Sequence, residues 1–216
     1  MSGPLTKDDF AACIAGAAAA IRTHCEELSA LDSVGGDGDH GATMLRIMER
    51  LSASFGGAAD FQTAMHEAGW AVLGVDGGAS GAVFGSFFLG MAEAVNRPLD
   101  APALASAFEA GLAAVCRQTK AQPGDKTALD ALVPAVHAAR AAADAGRSVE
   151  SALEAAAGAA RQGAESTRNL IARHGRAKYA GERTRGHCDP GAVSTAFLFE
   201  GFRGASIHAK GEAEHA

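Results

Sequence analysis

Aromatic side chains are scarce in this chain, at 6% of residues with one tryptophan and one tyrosine. That scarcity argues against a β-rich core built on large rings and β-branched residues. Much of the 48% hydrophobic content is alanine, which favours closely spaced helices. Positive charge is also in short supply: the formal net charge is −6, whereas a protein that grips a nucleic-acid backbone needs a basic face. A nucleotide site remains compatible with this balance, because a metal ion can carry the positive charge. No C-x-x-C pair or metal-finger spacing occurs among Cys13, Cys25, Cys116 and Cys188, and scattered thiols fit a reducing compartment. The N-terminus lacks the charged start, apolar run and cleavage site of a secretion signal. The longest apolar stretch, around residues 11–21, is too short and too rich in alanine to span a bilayer. These absences predict a soluble cytoplasmic protein with no membrane and no nucleic-acid partner. Its 216 residues suffice for one substantial core.

What the chain has instead is helical spacing. Phe10, Ile14, Ile21 and Leu28 share one face of a first helix, and Met44, Ile47, Met48 and Leu51 follow the i, i+3, i+4, i+7 pattern in a second. Phe61, Met65, Ala68 and Val72 predict a third, and Phe84, Phe87, Phe88 and Met91 a fourth. Asp100 ahead of Ala101 and Pro102 reads as the N-cap of a fifth, with Leu104, Phe108, Leu112 and Val115 inward. Leu129, Leu132, Val133 and Val136 mark a sixth, and a seventh runs through Leu153, Ala156, Ala160 and Ala164 towards Leu170. The last opens at Asp189-Pro190 and carries Val193, Phe197 and Phe199. No period-2 alternation is sustained. The expected fold class is all-α, a single helical domain over residues 1–209 with a polar tail over 210–216.

Glycine collects in the connections, at residues 35–41, 74–81, 124 and 175–191, and polar glycine-rich loops meeting at one rim of a bundle make a site. The first connection reads Leu31-Asp-Ser-Val-Gly-Gly-Asp-Gly-Asp-His-Gly41 and places Asp32, Asp37 and Asp39 within eight residues. Hard divalent cations such as magnesium take several oxygen ligands and bridge carboxylates to phosphates. A solvated acidic turn has the same composition, so spacing alone leaves both readings open. The literal G-x-G-x-x-G match at residues 36–41 follows a helix rather than a strand, so it is no dinucleotide fingerprint. An EF-hand fails as well, with Met48 at the twelfth position from Asp37.

The second connection, Asp76-Gly-Gly-Ala-Ser-Gly81, opens directly into a helix. Its backbone N–H groups and the Ser80 hydroxyl are candidate donors to an anion, although an ordinary N-cap turn looks the same. In the third, Pro123-Gly-Asp-Lys-Thr127, Asp125 occupies the position where a P-loop requires glycine, and Thr127 with Asp130 resembles a capping box. The fourth runs from Gly175 to Ala192, too long for a helix hairpin, and offers Arg176 as a phosphate fork. Lys178, Arg183 and Arg185 there could equally form a solvated basic stretch.

Taken in order, these segments are specific. Asp32 with Gly-Asp-Gly-Asp-His-Gly, then Gly-Gly-Ala-Ser-Gly with Phe-Gly-Ser-Phe-Phe, then Pro-Gly-Asp-Lys-Thr with Asp130, then Gly-Arg-Ala-Lys-Tyr, Gly-Glu-Arg and Gly-His-Cys-Asp-Pro-Gly-Ala resemble the L subunit, or L domain, of dihydroxyacetone kinases. The match stays in register from about Leu28 to Phe199. The resemblance implies a barrel of eight antiparallel amphipathic helices with the nucleotide site in loops at one end. It implies ADP or ATP held with two Mg2+ ions ligated by Asp32, Asp37 and Asp39. The nucleotide would be surrounded by His40, Gly41, Ala42, Thr43, Gly78, Ala79, Ser80, Thr119, Thr127, Ala128, Arg176, Asp189, Pro190 and Gly191. Three positions depart from the family wording: Thr43 where asparagine is common, Ala128 where methionine often walls the adenine, and Thr119 where glycine is often found. Cys188 and Asp76 also look unusual, and neither is assigned a role.

The family's sugar-binding domain, which holds a ketone covalently through a histidine, has no counterpart in these residues. The resemblance therefore implies a kinase subunit that transfers a phosphoryl group to a small ketose on a separate K subunit, with no nucleophile of its own. The donor is either ATP consumed directly, or bound ADP recharged by a phosphotransferase-system protein. Two alternatives stand beside it: a nucleotide-binding regulatory subunit, and the nucleotide domain of a fatty-acid-kinase-like system. His40 and the Gly-His-Cys-Asp-Pro-Gly-Ala ending favour the ketose-kinase branch over the latter.

Overall fold

Side-chain caps open several of the helices. Thr6 makes a full capping box with Asp9 at the start of α1 (Lys7–Thr23). Asp60 accepts from Thr63 N at 2.8 Å to open α4 (Phe61–Leu73). Asp100 accepts from Ala103 N at 2.8 Å, with proline in the first turn, to open α6 (Ala101–Gln118). Ser148 caps α8 (Val149–Ser166). The remaining helices are α2 (Cys25–Asp32), α3 (His40–Gly57), α5 (Ser80–Ala94), α7 (Leu129–Asp144) and α9 (Pro190–Ala213). A computed structural model describes residues 3–95 and 98–213, with side chains described as far as residue 204. Among the described residues there is no strand, only one antiparallel bridge between Leu5 and Leu99.

The helices close a ring. α1 packs on α3, α3 on α4, and each of α4 to α8 on its successor, while α9 packs on both α8 and α1. The eight-helix barrel implied by the resemblance is therefore the observed fold, with α2 as a short ninth helix leaning on α3 and α9. Its interior is filled by phenylalanine. Phe10 lies 5.2 Å from Phe202, Phe202 5.7 Å from Phe199, and Phe199 5.3 Å from Phe108, ring centroid to ring centroid. All four are fully buried, so the few aromatics are concentrated where they contribute most to packing. Small residues bring the helices together elsewhere. A Cβ on Gly201 of α9 would stand 2.1 Å from the Ala17 amide nitrogen of α1, so those two backbones touch through glycine.

Three expectations need correction. The first predicted helix is two, α1 and α2, broken at His24, whose ring stacks on Phe197 at 4.2 Å. Phe10, Ile14, Ile21 and Leu28 all remain buried across the break, which is why their spacing conceals it. The seventh helix stops at Ser166 rather than reaching Leu170, because Thr167 Oγ1 donates back to Ala164 O and the chain tightens into a 3-10 turn over Thr167–Asn169. The last helix continues past Lys210 to Ala213, and residues 214–216 of the expected tail lie outside the described residues. Among the described residues no helix is long and apolar enough to cross a membrane.

Candidate functional site

The starts of α3, α5, α7 and α9 gather at one end of the ring around a cleft of about 330 Å³. Helix starts leave backbone N–H groups without intrahelical acceptors, so this end carries a built-in preference for negative charge. Val83, Phe84, Val115 and Leu129 supply an apolar wall, and polar groups converge on the rest.

α2 delivers Asp32 to the rim, and its carboxylate organises the turn that follows. Asp32 Oδ2 accepts from Gly38 N at 2.9 Å and from Asp39 N at 3.2 Å. A Cβ at residue 36 would fall 2.1 Å from Asp32 Oδ1, which explains glycine there. The loop brings one oxygen each from Asp32, Asp37 and Asp39 to within 4.8 Å of one another. The Arg176 guanidinium, arriving from the far connection, donates to Asp37 and holds its carboxyl below the usual range. Burial, followed by the charges of Asp37 and Asp32, pushes Asp39 above its ordinary value. Three hard oxygen donors under mutual repulsion are a donor set that a divalent cation such as magnesium satisfies.

Beside this cluster, Gly77 and Gly78 both take positive φ as the chain enters α5. Arg46 fastens that loop by donating to Thr43 Oγ1 at 2.8 Å and to Asp76 O at 2.9 Å. His40 is buried and lies between α5 and α9: Nε2 is 3.0 Å from Ser194 Oγ and Nδ1 is 3.3 Å from Ser80 Oγ. Ser194 Oγ donates to Gly191 O, leaving a lone pair to accept from His40 Nε2–H. In that tautomer Nδ1 can accept from the Ser80 hydroxyl. Burial lowers the His40 pKa, in keeping with this neutral form. The Ser80 hydroxyl, a candidate anion donor from the sequence, thus lies within hydrogen-bond reach of His40 Nδ1, and its backbone N–H stands at the α5 start.

On the opposite side, Asp130 organises the loop before α7, accepting from Gly124 N at 2.6 Å and Thr127 N at 2.8 Å. This is half of the capping box read from the sequence. Thr127 Oγ1 accepts from Leu129 N at 3.3 Å rather than from Asp130 N, and α7 begins at Leu129. Lys126 is buried in this loop, with Nζ donating to Thr167 O at 2.6 Å and His187 O at 2.5 Å. The long connection between α8 and α9 contains 3-10 turns over Arg176–Tyr179 and Gly181–Thr184. It ends on Asp189, whose Oδ2 accepts from Ala192 N at 2.8 Å to cap α9.

Burial raises the Asp189 pKa from 3.8 to about 7, with the Asp130 charge adding to the shift and the Ala192 N–H and Lys126 opposing it. The folded state therefore binds this proton more tightly than the unfolded chain. The contribution to stability is complete below the unfolded pKa and is lost as pH rises towards 7. An Asp189→Asn variant lacks this loss. Its urea midpoint relative to the native chain should improve steadily from pH 4 to pH 7, and a constant difference across that range would refute the assignment.

Of the residues singled out from the sequence, Asp32, Asp39, His40, Gly78, Ala79, Ser80, Thr119, Thr127, Ala128, Arg176, Asp189, Pro190 and Gly191 line this one cleft. Asp37 stands at its rim in the acidic cluster. Gly41, Ala42 and Thr43 are not on its wall. Gly41 packs beneath Cys25 and Ser29, Ala42 is exposed, and Thr43 is buried against Gly77 as a support for the second loop. Besides Cys188, four polar lining residues were given no role from sequence: Lys126, Thr184, His187, and His174, which sits 3.1 Å from Asp125. Lys126 carried a faint signal, as a lysine in a glycine-led turn before a helix.

Known proteins resemble this chain in sequence and in fold. The DAK2 domain model matches residues 34–204. The chain is 39% identical over 182 residues to the PEP-dependent dihydroxyacetone kinase 1, ADP-binding subunit DhaL, of Listeria innocua, covering 83% of this chain and 86% of that one. It is 40% identical over 184 residues to the PEP-dependent dihydroxyacetone kinase, ADP-binding subunit DhaL, of Escherichia coli, with 82% and 87% covered. The fold superposes on the C. freundii dihydroxyacetone kinase in complex with AMP-PNP and Mg2+ with a TM-score of 0.71 at 25% identity, covering 95% of this chain and 35% of that one. The chain thus spans about a third of that larger kinase and most of the two bacterial subunits. The resemblance to dihydroxyacetone kinase L subunits is upheld by family model, identity and fold alike: this chain belongs to the DAK2 domain family.

Proposed function

We propose that this chain is the nucleotide-binding subunit of a dihydroxyacetone-type kinase, holding ADP or ATP with magnesium in the cleft and passing a phosphoryl group to a small ketose on a separate K subunit. The observation that carries the reading is the convergence of Asp32, Asp37 and Asp39 within 4.8 Å at a rim faced by Arg176 and the α5 start. Asp32, Asp37 and Asp39 would hold magnesium, as two ions, which would supply positive charge against the phosphate oxygens. Asp32 both ligates and holds the turn in shape through Gly38 and Asp39. Arg176, whose guanidinium stands beside Asp37 at that rim, would donate to phosphate oxygens. The N–H groups at the α5 start stabilise negative charge on the same oxygens. Val83, Val115 and Leu129 give a base an apolar surface, with Thr119 and Ala128 at its edge. This chain offers positioning and electrostatics, and the acceptor hydroxyl is activated on the partner.

The bacterial relatives of matching length are named PEP- or PTS-dependent ADP-binding subunits. That favours bound ADP recharged by a phosphotransferase-system protein over direct consumption of ATP. The four cysteines form no disulfide among the described residues, which suits the cytoplasm, where such a donor would act. The test is the nucleotide content of freshly purified protein with magnesium present, followed by exchange against added ATP. Co-purifying ADP that resists exchange is the expected result. Ready exchange would favour ATP as donor, and a preparation that binds no nucleotide with or without magnesium would refute the proposal.

A further inference from the structure

Lys126 is buried, charged and conformationally unusual at once. It is 5% exposed, and among the described residues it is the one non-glycine with positive φ, at 62°. Burying an ammonium and holding a side-chain-bearing residue in the left-handed region are both unfavourable. They persist where the surrounding structure over-determines them, and such outliers gather at functional sites.

Its contacts show what it joins. Thr167 O and His187 O, its two acceptors, stand at the beginning and near the end of the connection 167–189. The two ends of that connection also bond each other, with Gly186 N donating to Arg168 O at 2.8 Å and Asp189 N to Thr167 Oγ1 at 2.8 Å. These bonds close the neck but do not attach it to the facing loop. Lys126 makes the attachment, while Asp125 makes a second one further out, accepting from Arg173 N and pairing with His174. The consequence lies on either side of Lys126. Thr127 and Ala128 form one wall of the cleft, and Asp189, Pro190 and Gly191 form the other. A Cβ on Gly191 would come 3.5 Å from Ala128, so the walls meet beside this lysine. Arg176 is carried on the connection whose neck Lys126 fastens. The ammonium protons that reach the two carbonyls are not available to phosphate, unlike those of a P-loop lysine.

We infer that Lys126 is a positioning residue, which registers the Thr127–Ala128 wall against the Asp189–Gly191 wall and fixes the stem on which Arg176 reaches the acidic cluster. The inference rests on the nucleotide reading of the cleft.

The test compares native protein with Lys126→Met, which keeps the length of the side chain and removes the ammonium. ADP binding with magnesium is measured by calorimetry, well below both melting midpoints, alongside amide hydrogen exchange. Arg140→Ala, which removes a surface pair with Glu109 on α6, reports the effect of lost stability alone. The expected result is ADP binding roughly ten- to a hundredfold weaker in Lys126→Met, the usual range for residues that orient binding groups from behind. Faster exchange should be confined to the amides of Gly186, Asp189 and their neighbours, with α1 and α4 unchanged. Native affinity in Lys126→Met, or an equal loss in Arg140→Ala, would overturn the inference. If Lys126→Met does not fold, Lys126→Gln is judged by the same two criteria. Native protein that binds no ADP would overturn the nucleotide reading instead, while the exchange measurement still decides whether Lys126 fastens the neck.

Discussion

Replacing Asp37 by alanine is expected to weaken binding of ADP with magnesium on the order of a hundredfold, since divalent-ion affinity is tuned over decades by the number of charged ligands. The melting midpoint of the protein without metal should barely move. Asp37 is half exposed, and its pair with Arg176 is open to solvent screening. The two measurements separate because Asp37 does different things with and without an ion. Without one, it satisfies Arg176 and adds to the repulsion on Asp39. With one, it would be one of three charges that hold the ion. Asp39→Asn sharpens the contrast. Its carboxyl is pushed upward in the folded state, so its contribution to stability is present at low pH and lost as pH rises. Metal-free Asp39→Asn should therefore gain stability at neutral pH relative to native protein while losing nucleotide affinity. Full ADP and magnesium binding by Asp37→Ala, measured by calorimetry, would remove the carboxylates from the site.

The largest loss of stability should come from the smallest addition, Gly201→Ala. A methyl group there meets Ala17 N at 2.1 Å, Ala17 Cα at 2.2 Å and Gly16 C at 2.6 Å, all backbone atoms that cannot turn aside. α9 must then move away from α1, opening the seam that closes the ring and separating Phe10 from Phe202. Overpacking against side chains typically costs about 1–3 kcal/mol. Against two backbones the cost should be at the top of that range, about 3 kcal/mol or more. Gly204→Ala, one turn along the same helix with nothing within 4 Å, is the matched control. There the better helix propensity of alanine should stabilise the protein by about 0.5–1 kcal/mol. Urea denaturation of both variants gives the comparison, and equal midpoints would mean that α1 and α9 do not approach through glycine.

Much of this architecture is legible before any coordinates, for a reason that particular residues make plain. Met44, Ile47, Met48 and Leu51 mark a buried face because an α-helix repeats every 3.6 residues whatever it packs against, and all four are buried. Asp100 and Asp189 open helices because a cap acts on amides two or three residues away. The acidic cluster is legible for the same reason: Asp32, Asp37 and Asp39 are close in sequence, and glycines let the turn close on itself. The break at His24 escapes such reading because a change of helix direction can leave the buried stripe in phase.

Determined by the sequence alone, then, were the helical class, the buried faces, the helix starts at Asp100 and Asp189, and the four glycine-rich segments. Left to the tertiary structure were the closure of the ring by α9 on α1 and the union of those segments in one cleft. So were the approach of Ser80 to His40 and the fastening of Thr167 and His187 by Lys126. The division follows range: periodicity and capping act within a turn or two of helix, so a sequence displays them directly. A contact such as Lys126 with His187 spans 61 residues, and it exists only once packing has brought distant backbone together.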